Sequence, residues 1–96
     1  MKFLVIFRPN GQPHQFKDEH ARAHGAALNE LLAKGELEIA YVFVAGGGAY
    51  VVNAVDTKEL FEKVRGNPLF KSSTVEVHPI ADATDYLEGY ADYVGK

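Results

Sequence analysis

The feature that most constrains the fold is the order in which two kinds of hydrophobic periodicity alternate along the chain. Residues 2–8 form a β-branched and aromatic run that ends in a Pro-Asn-Gly turn, which predicts a strand. From residue 16 onwards, apolar residues recur every three or four positions until Gly35, which predicts a helix. Strand-like runs follow at 37–45, 49–55 and 73–80, and a short helix capped by Asp56 or Thr57 separates the last two runs.

The resulting order, β-α-β-β-α-β, predicts an α+β domain of the ferredoxin-like arrangement, with a four-stranded antiparallel sheet covered by two helices on one face. A chain of 96 residues has room for one such domain, which we place at residues 1–81. Residues 82–96 form a helical tail that we expect to dock on the domain or on a dimer partner. Its apolar residues fall on one helical stripe, which comprises Tyr86, Leu87, Tyr90, Tyr93 and Val94.

Apolar residues on both faces of two predicted strands indicate association. On the first strand Phe3, Val5 and Phe7 alternate with Leu4 and Ile6, and residues 41–44 of the second strand are apolar throughout. Helices cover only one face of this kind of sheet, so the other face would expose a large apolar patch in a monomer. The sequence therefore predicts a homodimer, or a higher homo-oligomer, in which the sheets pack face to face.

Composition excludes several classes of partner and chemistry. The formal net charge is -3, with 10 Lys and Arg against 13 Asp and Glu, so no basic stripe predicts nucleic-acid binding. No apolar run approaches the length of a membrane span, and no signal-peptide cleavage site follows the first strand. The absence of cysteine excludes disulfides and thiolate nucleophiles, and it fits a reducing compartment. We therefore expect a cytoplasmic protein with no membrane or nucleic-acid partner.

Two histidines on the first helix are the main candidates for chemistry. His20 and His24 lie four residues apart within the apolar face of this helix, where an unpartnered polar group is costly. They predict a polar pocket between helix and sheet, with His24 as the preferred catalytic base and His20 as the second catalytic candidate. The alternative is that both are half-buried structural histidines. A metal site would need a third ligand from His14, Glu76 or His78 and lacks the Glu of a His-Glu-x-x-His motif, so no metal is expected.

Three further residues are candidates for binding a small-molecule substrate. Arg8 closes the first strand and has the chemistry to hold a carboxylate. Asn53 interrupts an otherwise apolar strand, where its amide requires a partner or a ligand. Tyr41 would line a wide pocket for an aromatic ligand. The alternatives are that Arg8 is a surface cation at a strand end and that Asn53 satisfies the sheet at a bulge.

Several segments of the second half of the chain resemble the muconolactone isomerase family. The most specific is the connection Asn67-Pro68-Leu69-Phe70 between the second helix and the last strand, and the last strand itself ends in Val77-His78-Pro79-Ile80-Ala81. The chain is also similar to YCII-type proteins, in which a histidine on the first helix lies in the pocket. Either helix histidine matches that place.

The resemblance implies a dimeric α+β barrel, sometimes assembled into larger rings. It also implies a cofactor-free isomerase that moves a proton within a small unsaturated lactone carrying a carboxylate. His24 as base and Arg8 as carboxylate anchor would suit such a reaction. Two alternatives stay open. One is a cofactor-independent oxygenase of an aromatic or polyketide substrate, and the other is a non-enzymatic dimeric module that binds a small molecule.

Overall fold

The computed structural model describes residues 1–11, 18–67 and 70–94, with the side chains of 18–21 and 94 excepted. It confirms an α+β fold with a four-stranded antiparallel sheet and three helices, consistent with the ferredoxin-like arrangement. The elements in chain order are β1 Lys2–Pro9, α1 Asp18–Ala33, β2 Leu37–Val42, β3 Gly48–Asn53, α2 Thr57–Arg65, a short 3-10 turn Phe70–Ser72, β4 Ser73–Ile80 and α3 Ala83–Val94.

The sheet has the strand order β2-β3-β1-β4, and all its pairs are antiparallel. Val5 in the central strand β1 stands opposite Tyr50 on β3 and Val77 on β4, which fixes the register. β4 is an edge strand, as Pro79 near its end indicates. Residues that face each other in this register share a face, so the pairing divides the strand side chains between a helix-covered face and an open face.

The hydrophobic core lies on the helix-covered face. Phe3, Val5 and Phe7 are at most 2% exposed, and they pack with buried residues of α2 and β3. Each such side chain contributes roughly 1.5–3 kcal/mol when fully buried. The remaining buried members of this cluster are Leu37, Tyr50, Val52, Ala54, Leu60 and Val64, with Leu28 and Leu31 of α1 packed against them.

The connection between β2 and β3 begins earlier than the sequence predicts. Phe43 N donates to Gly47 O at 2.9 Å, and Gly46 N donates to Phe43 O at 2.9 Å, so the chain already turns at residue 43. Gly46 and Gly47 have φ angles of 113° and 88°, a region that favours glycine. The predicted strand 37–45 therefore ends at Val42, because the turn needs residues 43–47.

Reciprocal capping bonds at the start of α2 shorten β3. Asp56 Oδ1 accepts the backbone N–H of Glu59 at 2.9 Å, and Glu59 Oε2 accepts the backbone N–H of Val55 at 3.2 Å. The first bond satisfies an N–H that the helix leaves unpaired at its N-terminus, and the second engages the N–H of Val55, the residue before the N-cap. It withdraws Val55 from the sheet, so β3 ends at Asn53 and not at residue 55 as predicted.

The open face has an apolar centre and a charged rim. Leu4, Ile6, Ala49 and Val51 share this face in the register of β1 with β3. Two ion pairs border them: Lys2 Nζ lies 3.1 Å from Glu38 Oε2, and Arg8 Nε lies 2.9 Å from Glu76 Oε1. Such a centre and rim are typical of protein interfaces.

The helix α3 stands apart from the rest of the chain. Every described side chain from residue 83 to 93 is exposed. The radius of gyration is 15.9 Å and the longest dimension is 57 Å. A compact chain of this length has a radius of gyration of about 12–13 Å, so the difference reflects the projecting helix. Within the described residues, no helix combines the length and apolar character that crossing a bilayer requires.

Candidate active site

His24 lies on the side of α1 that faces the sheet. It precedes Leu28, which packs against the core, by about one helical turn, and its side chain is half-buried with the Nε2 atom enclosed by protein. Burial lowers the pKa of the His24 imidazole below its usual value of 6.5, because desolvation disfavours the charged ring. His24 is therefore a neutral base at pH 7. The backbone of His20 lies in α1 one turn earlier, and its side chain lies outside the described residues.

Tyr50 supplies a second buried polar group on the helix-covered face. The residue is 2% exposed, and its ring meets Phe7 edge to face, with 5.5 Å between the ring centroids. The side chain of Asn67 is the hydrogen-bonding neighbour of its hydroxyl. Burial raises the pKa of the Tyr50 phenol, and the nearby Asn67 side chain opposes this rise without cancelling it. The phenol therefore stays protonated and able to donate a hydrogen bond.

The fold brings His24 and Tyr50 to the same end of the helix-covered face. The loop after α1 is tied to the end of β3, since Asn53 N donates to Glu36 O at 2.9 Å. From that point back to its N-terminus, α1 runs toward the opposite end of the sheet, where β3 begins and the Tyr50 ring approaches Gly48, and His24 lies in this half of the helix. Asn67 follows α2 and arrives at this end as well, because α2 starts beside the other end of β3.

Sequence reasoning missed Tyr50 as a functional candidate, because an aromatic residue in an apolar strand is typical of a core. Its hydroxyl was one feature that could have identified it, since a buried tyrosine usually finds a hydrogen-bond partner. The glycine at position 48 was a second feature. A Cβ atom at Gly48 would lie 3.2 Å from Tyr50 Oη and 2.7 Å from the carbonyl oxygen of Tyr41, so a glycine there leaves room for the phenol.

The predicted substrate-binding residue Arg8 lies on the opposite face from His24. Its register partner on β4 is Thr74, and its guanidinium bonds to Glu76 at 2.9 Å. The Nε2 atom of His78 lies 3.5 Å from the second oxygen of Glu76. Hydrogen bonds from Arg8 and then from His78 lower the pKa of the Glu76 carboxyl. The Arg8 side chain thus belongs to a charged group at the rim of the open face.

Asn53 also lies on the open face, where its side chain joins the end of β3 to β2 and to the loop before β2. Its Nδ2 donates to the carbonyl oxygen of Gly35 at 2.8 Å and to Glu38 Oε1 at 3.3 Å. Its backbone oxygen accepts a bond from Lys63 Nζ at 2.8 Å. The register of β2 against β3 is irregular between residues 37 and 39, beside this amide.

Tyr41 stands on the edge strand β2, opposite Ala49, and is 68% exposed. The structure therefore divides the predicted site residues. His24 faces the helix-covered side, whereas Arg8, Asn53 and Tyr41 lie on the open side of the same sheet.

No three His, Asp or Glu side chains converge in the part of the chain that the structure describes. His24 is separated by the sheet from Glu76 and His78, two of the three candidates for a third metal ligand. The remaining candidate, His14, lies outside the described residues.

Comparison with known protein families finds no family that matches this chain, and a search of curated proteins finds no match. The resemblance to the muconolactone isomerase family is therefore a hypothesis that rests on the residues of the chain itself.

Proposed function

We propose that this chain is a small cofactor-independent isomerase of the muconolactone isomerase type, in which His24 transfers a proton within a small lactone or carbonyl substrate. The observation that carries the proposal is the position of His24: half-buried on the sheet-facing side of α1, with a pKa that burial lowers. A base that is neutral at pH 7 and shielded from water is suited to taking a proton from carbon.

The chemistry balances without a cofactor. The neutral imidazole of His24 takes a proton from a carbon adjacent to the carbonyl group, and the electron pair left behind moves onto the carbonyl oxygen. The imidazolium then returns the proton to another carbon of the same molecule, which shifts a double bond. General acid–base catalysis of this kind contributes roughly 10²–10⁴-fold to a rate.

Tyr50 is the hydrogen-bond donor that this reaction needs. Negative charge develops on the carbonyl oxygen, and a preorganised donor in a water-poor site stabilises it. The Tyr50 phenol is protonated because burial raises its pKa, and its hydroxyl lies at the same end of the covered face as His24. His24 is thus the base, and Tyr50 is the hydrogen-bond donor to the carbonyl oxygen.

The resemblance of residues 67–70 to the isomerase family supports this location, because Asn67 lies beside Tyr50. It favours an unsaturated lactone with a carboxylate as substrate. Arg8 was the expected carboxylate anchor, yet it faces the other side of the sheet and bonds to Glu76. We therefore assign proton transfer to His24 and Tyr50 and leave Arg8 out of the substrate site.

The proposal includes a homodimer joined through the open sheet face, in the cytoplasm. The support for the dimer is the apolar centre of that face, with Leu4, Ile6 and Val51, inside a rim of ion pairs. The support for the compartment is the absence of cysteine.

A second candidate is a non-enzymatic dimeric module that binds a small molecule. It is favoured by the contacts of Arg8 and Asn53, whose side chains are engaged within the sheet. The two candidates differ in what His24 does to a bound ligand, and this difference is measurable.

The test is proton exchange in D₂O. Muconolactone and simpler butenolides are incubated with the full chain, and deuterium incorporation is followed by proton NMR. We expect exchange well above the buffer rate, reduced at least 100-fold in His24→Gln and unchanged in His78→Gln, a control on the open face. Exchange at the buffer rate across the whole series, or full exchange by His24→Gln, contradicts the proposal. Ligand binding without exchange supports the second candidate.

A further inference from the structure

The helix α3 presents an apolar stripe that its own chain leaves uncovered. Tyr86, Leu87, Tyr90 and Tyr93 are between 55% and 80% exposed, and the rings of Tyr86 and Tyr90 stack with their centroids 6.5 Å apart. An isolated helix of 12 residues is marginal in water, and most of a helix's stability in a protein comes from burying such a stripe. The stripe therefore requires a surface to cover it.

The start of α3 is nevertheless specified by local bonds. Asp82 Oδ1 accepts the backbone N–H groups of Thr84 at 2.9 Å and of Asp85 at 3.3 Å, and these bonds lower the pKa of the Asp82 carboxyl. The backbone oxygen of Asp82 accepts Tyr86 N at 2.9 Å. Capping of this kind is typical of a segment that functions as a helix.

We propose that α3 of one copy packs its tyrosine stripe on the open sheet face of a second copy. This inference rests on the proposed homodimer and adds the element that completes its interface. α3 leaves the sheet directly after β4, an edge strand of the same sheet, and it projects away from its own domain. In a symmetric pair of copies, each tyrosine stripe covers the open sheet face of the other copy, so both apolar surfaces are buried.

The area of the open face supports a two-part interface. Four strands of six to eight residues, spaced about 4.8 Å apart with about 3.4 Å per residue, project an area of about 450 Å². A stable interface of standard size buries about 800 Å² on each partner. An enclosed tyrosine buries about 150–250 Å², so the three tyrosines of α3 supply area on the scale of the shortfall.

The charges of the chain favour packing of α3 on the sheet of the partner and not on the α3 of the partner. Residues 82–94 carry four acidic side chains and no basic one: Asp82, Asp85, Glu88 and Asp92. Residues 1–81 hold the other nine of the 13 acidic residues and nine of the 10 basic ones, so that part is formally neutral. Two α3 helices side by side would bring like charges together, whereas the rim of the open face is balanced in charge, because Lys2 pairs with Glu38 and Arg8 pairs with Glu76.

The chain has no cysteine, so engineered cysteines report this contact directly. Full-length Tyr90→Cys and Tyr41→Cys are mixed, unfolded, refolded together and oxidised. We expect a covalent dimer whose disulfide joins residue 90 of one copy to residue 41 of the other, identified by peptide mass. The matched control is Tyr90→Cys with Glu62→Cys, a residue exposed on α2, which should give at least tenfold less product.

A second measurement tests the dimer independently of the contact made by α3. Light scattering should give the wild type twice 10.6 kDa, and Tyr86→Ser/Tyr90→Ser should weaken the dimer at least tenfold while Asp85→Ser/Glu88→Ser does not. A dimer in which the 41–90 disulfide forms no better than the control overturns the α3 contact alone. A wild-type monomer overturns both the dimer and the contact. A disulfide within one chain, formed in Tyr41→Cys/Tyr90→Cys, shows docking on the chain's own sheet and also overturns the inference.

Discussion

His24 on α1 and Tyr50 on β3 lie at the same end of the helix-covered face, and burial moves their pKa values in opposite directions. It lowers the pKa of the imidazole and raises that of the phenol. At neutral pH the end therefore holds an uncharged proton acceptor and an uncharged hydrogen-bond donor. Environments that separate the pKa values of two groups in this way are typical of acid–base sites.

The lowered pKa of His24 predicts how stability depends on pH. The unfolded chain takes up a proton on His24 near pH 6.5, whereas the folded chain resists protonation until a lower pH. The contribution of this group to the free energy of unfolding is therefore complete above pH 6.5 and is lost as the pH falls through the folded pKa. Urea unfolding of the wild type between pH 7.5 and 5 should show this loss, and His24→Gln should reduce it.

The comparison with His24→Gln separates this effect from the carboxylates. Hydrogen bonds from their partners lower the pKa values of Glu38, Glu76 and Asp82. The contribution of these carboxylates to the free energy of unfolding is therefore lost only at more acidic pH, below about 4.5. Equal pH dependence of wild type and variant between pH 7.5 and 5 would contradict the burial of a neutral His24.

Tyr50→Phe should separate function from stability. The substitution removes one hydroxyl and its contact with the Asn67 side chain, and a hydrogen bond of this kind contributes about 1 kcal/mol, so the free energy of unfolding should stay within about 1 kcal/mol of the wild type. Loss of the donor should slow ligand proton exchange by about 10²–10³-fold. Tyr41→Phe, on the exposed edge strand, is the control and should change neither quantity. A large stability loss without an effect on exchange would assign Tyr50 to the core alone.

Gly47→Ala should be among the most destabilising single substitutions in the β2–β3 connection. Gly47 has a φ of 88°, and an added Cβ would collide with the carbonyl oxygen of Phe7. Gly35→Ala is a matched control, because Gly35 has a φ of 76° and open space around its Cα. The backbone effect alone is about 1–2 kcal/mol, so Gly47→Ala should lose about 3 kcal/mol or more in urea unfolding. Equal losses at the two positions would refute the collision.

Asp56→Ala should weaken the junction of β3 and α2. The carboxylate caps α2 through Glu59 N, and an N-cap substitution of this type costs about 1 kcal/mol. Asp56→Asn keeps an oxygen that accepts the same bond and should lie within a few tenths of a kcal/mol of the wild type. Thermal unfolding of both variants checks the prediction, and an equal effect of Ala and Asn would exclude the cap as the cause.

Much of the fold follows from local sequence signals. The alternation of residues 73–80 and the Asp56 cap predict β4 and α2 at the bounds that the structure has. The two strand ends that differ by more than one residue, at Val42 and Asn53, were decided by hydrogen bonds across the 43–47 turn and the α2 cap. Hydrophobic patterning does not predict those strand ends, because Phe43 and Val55 are apolar and continue the pattern of the strands.

The candidate site was less accessible from sequence. Helical periodicity placed His24 on the buried face of α1, since that inference needs only the pitch of one helix. Arg8 and Asn53 were harder, because their roles depend on which face of the sheet the helices cover and on partners far away in the chain, Glu76 and Gly35. Tyr50 differs from an ordinary core residue only in one hydroxyl, whose surroundings become visible in three dimensions.

The most direct test of a buried, neutral His24 is an NMR titration of its imidazole in the full chain, with His24→Gln used to assign its signal among the four histidines. We expect a pKa below 6.5, because burial disfavours the imidazolium, together with a shift of the His24 signal when a butenolide carboxylate is added. A pKa at or above 6.5, with a signal that does not respond to the ligand, would contradict the assignment of His24 as the neutral base.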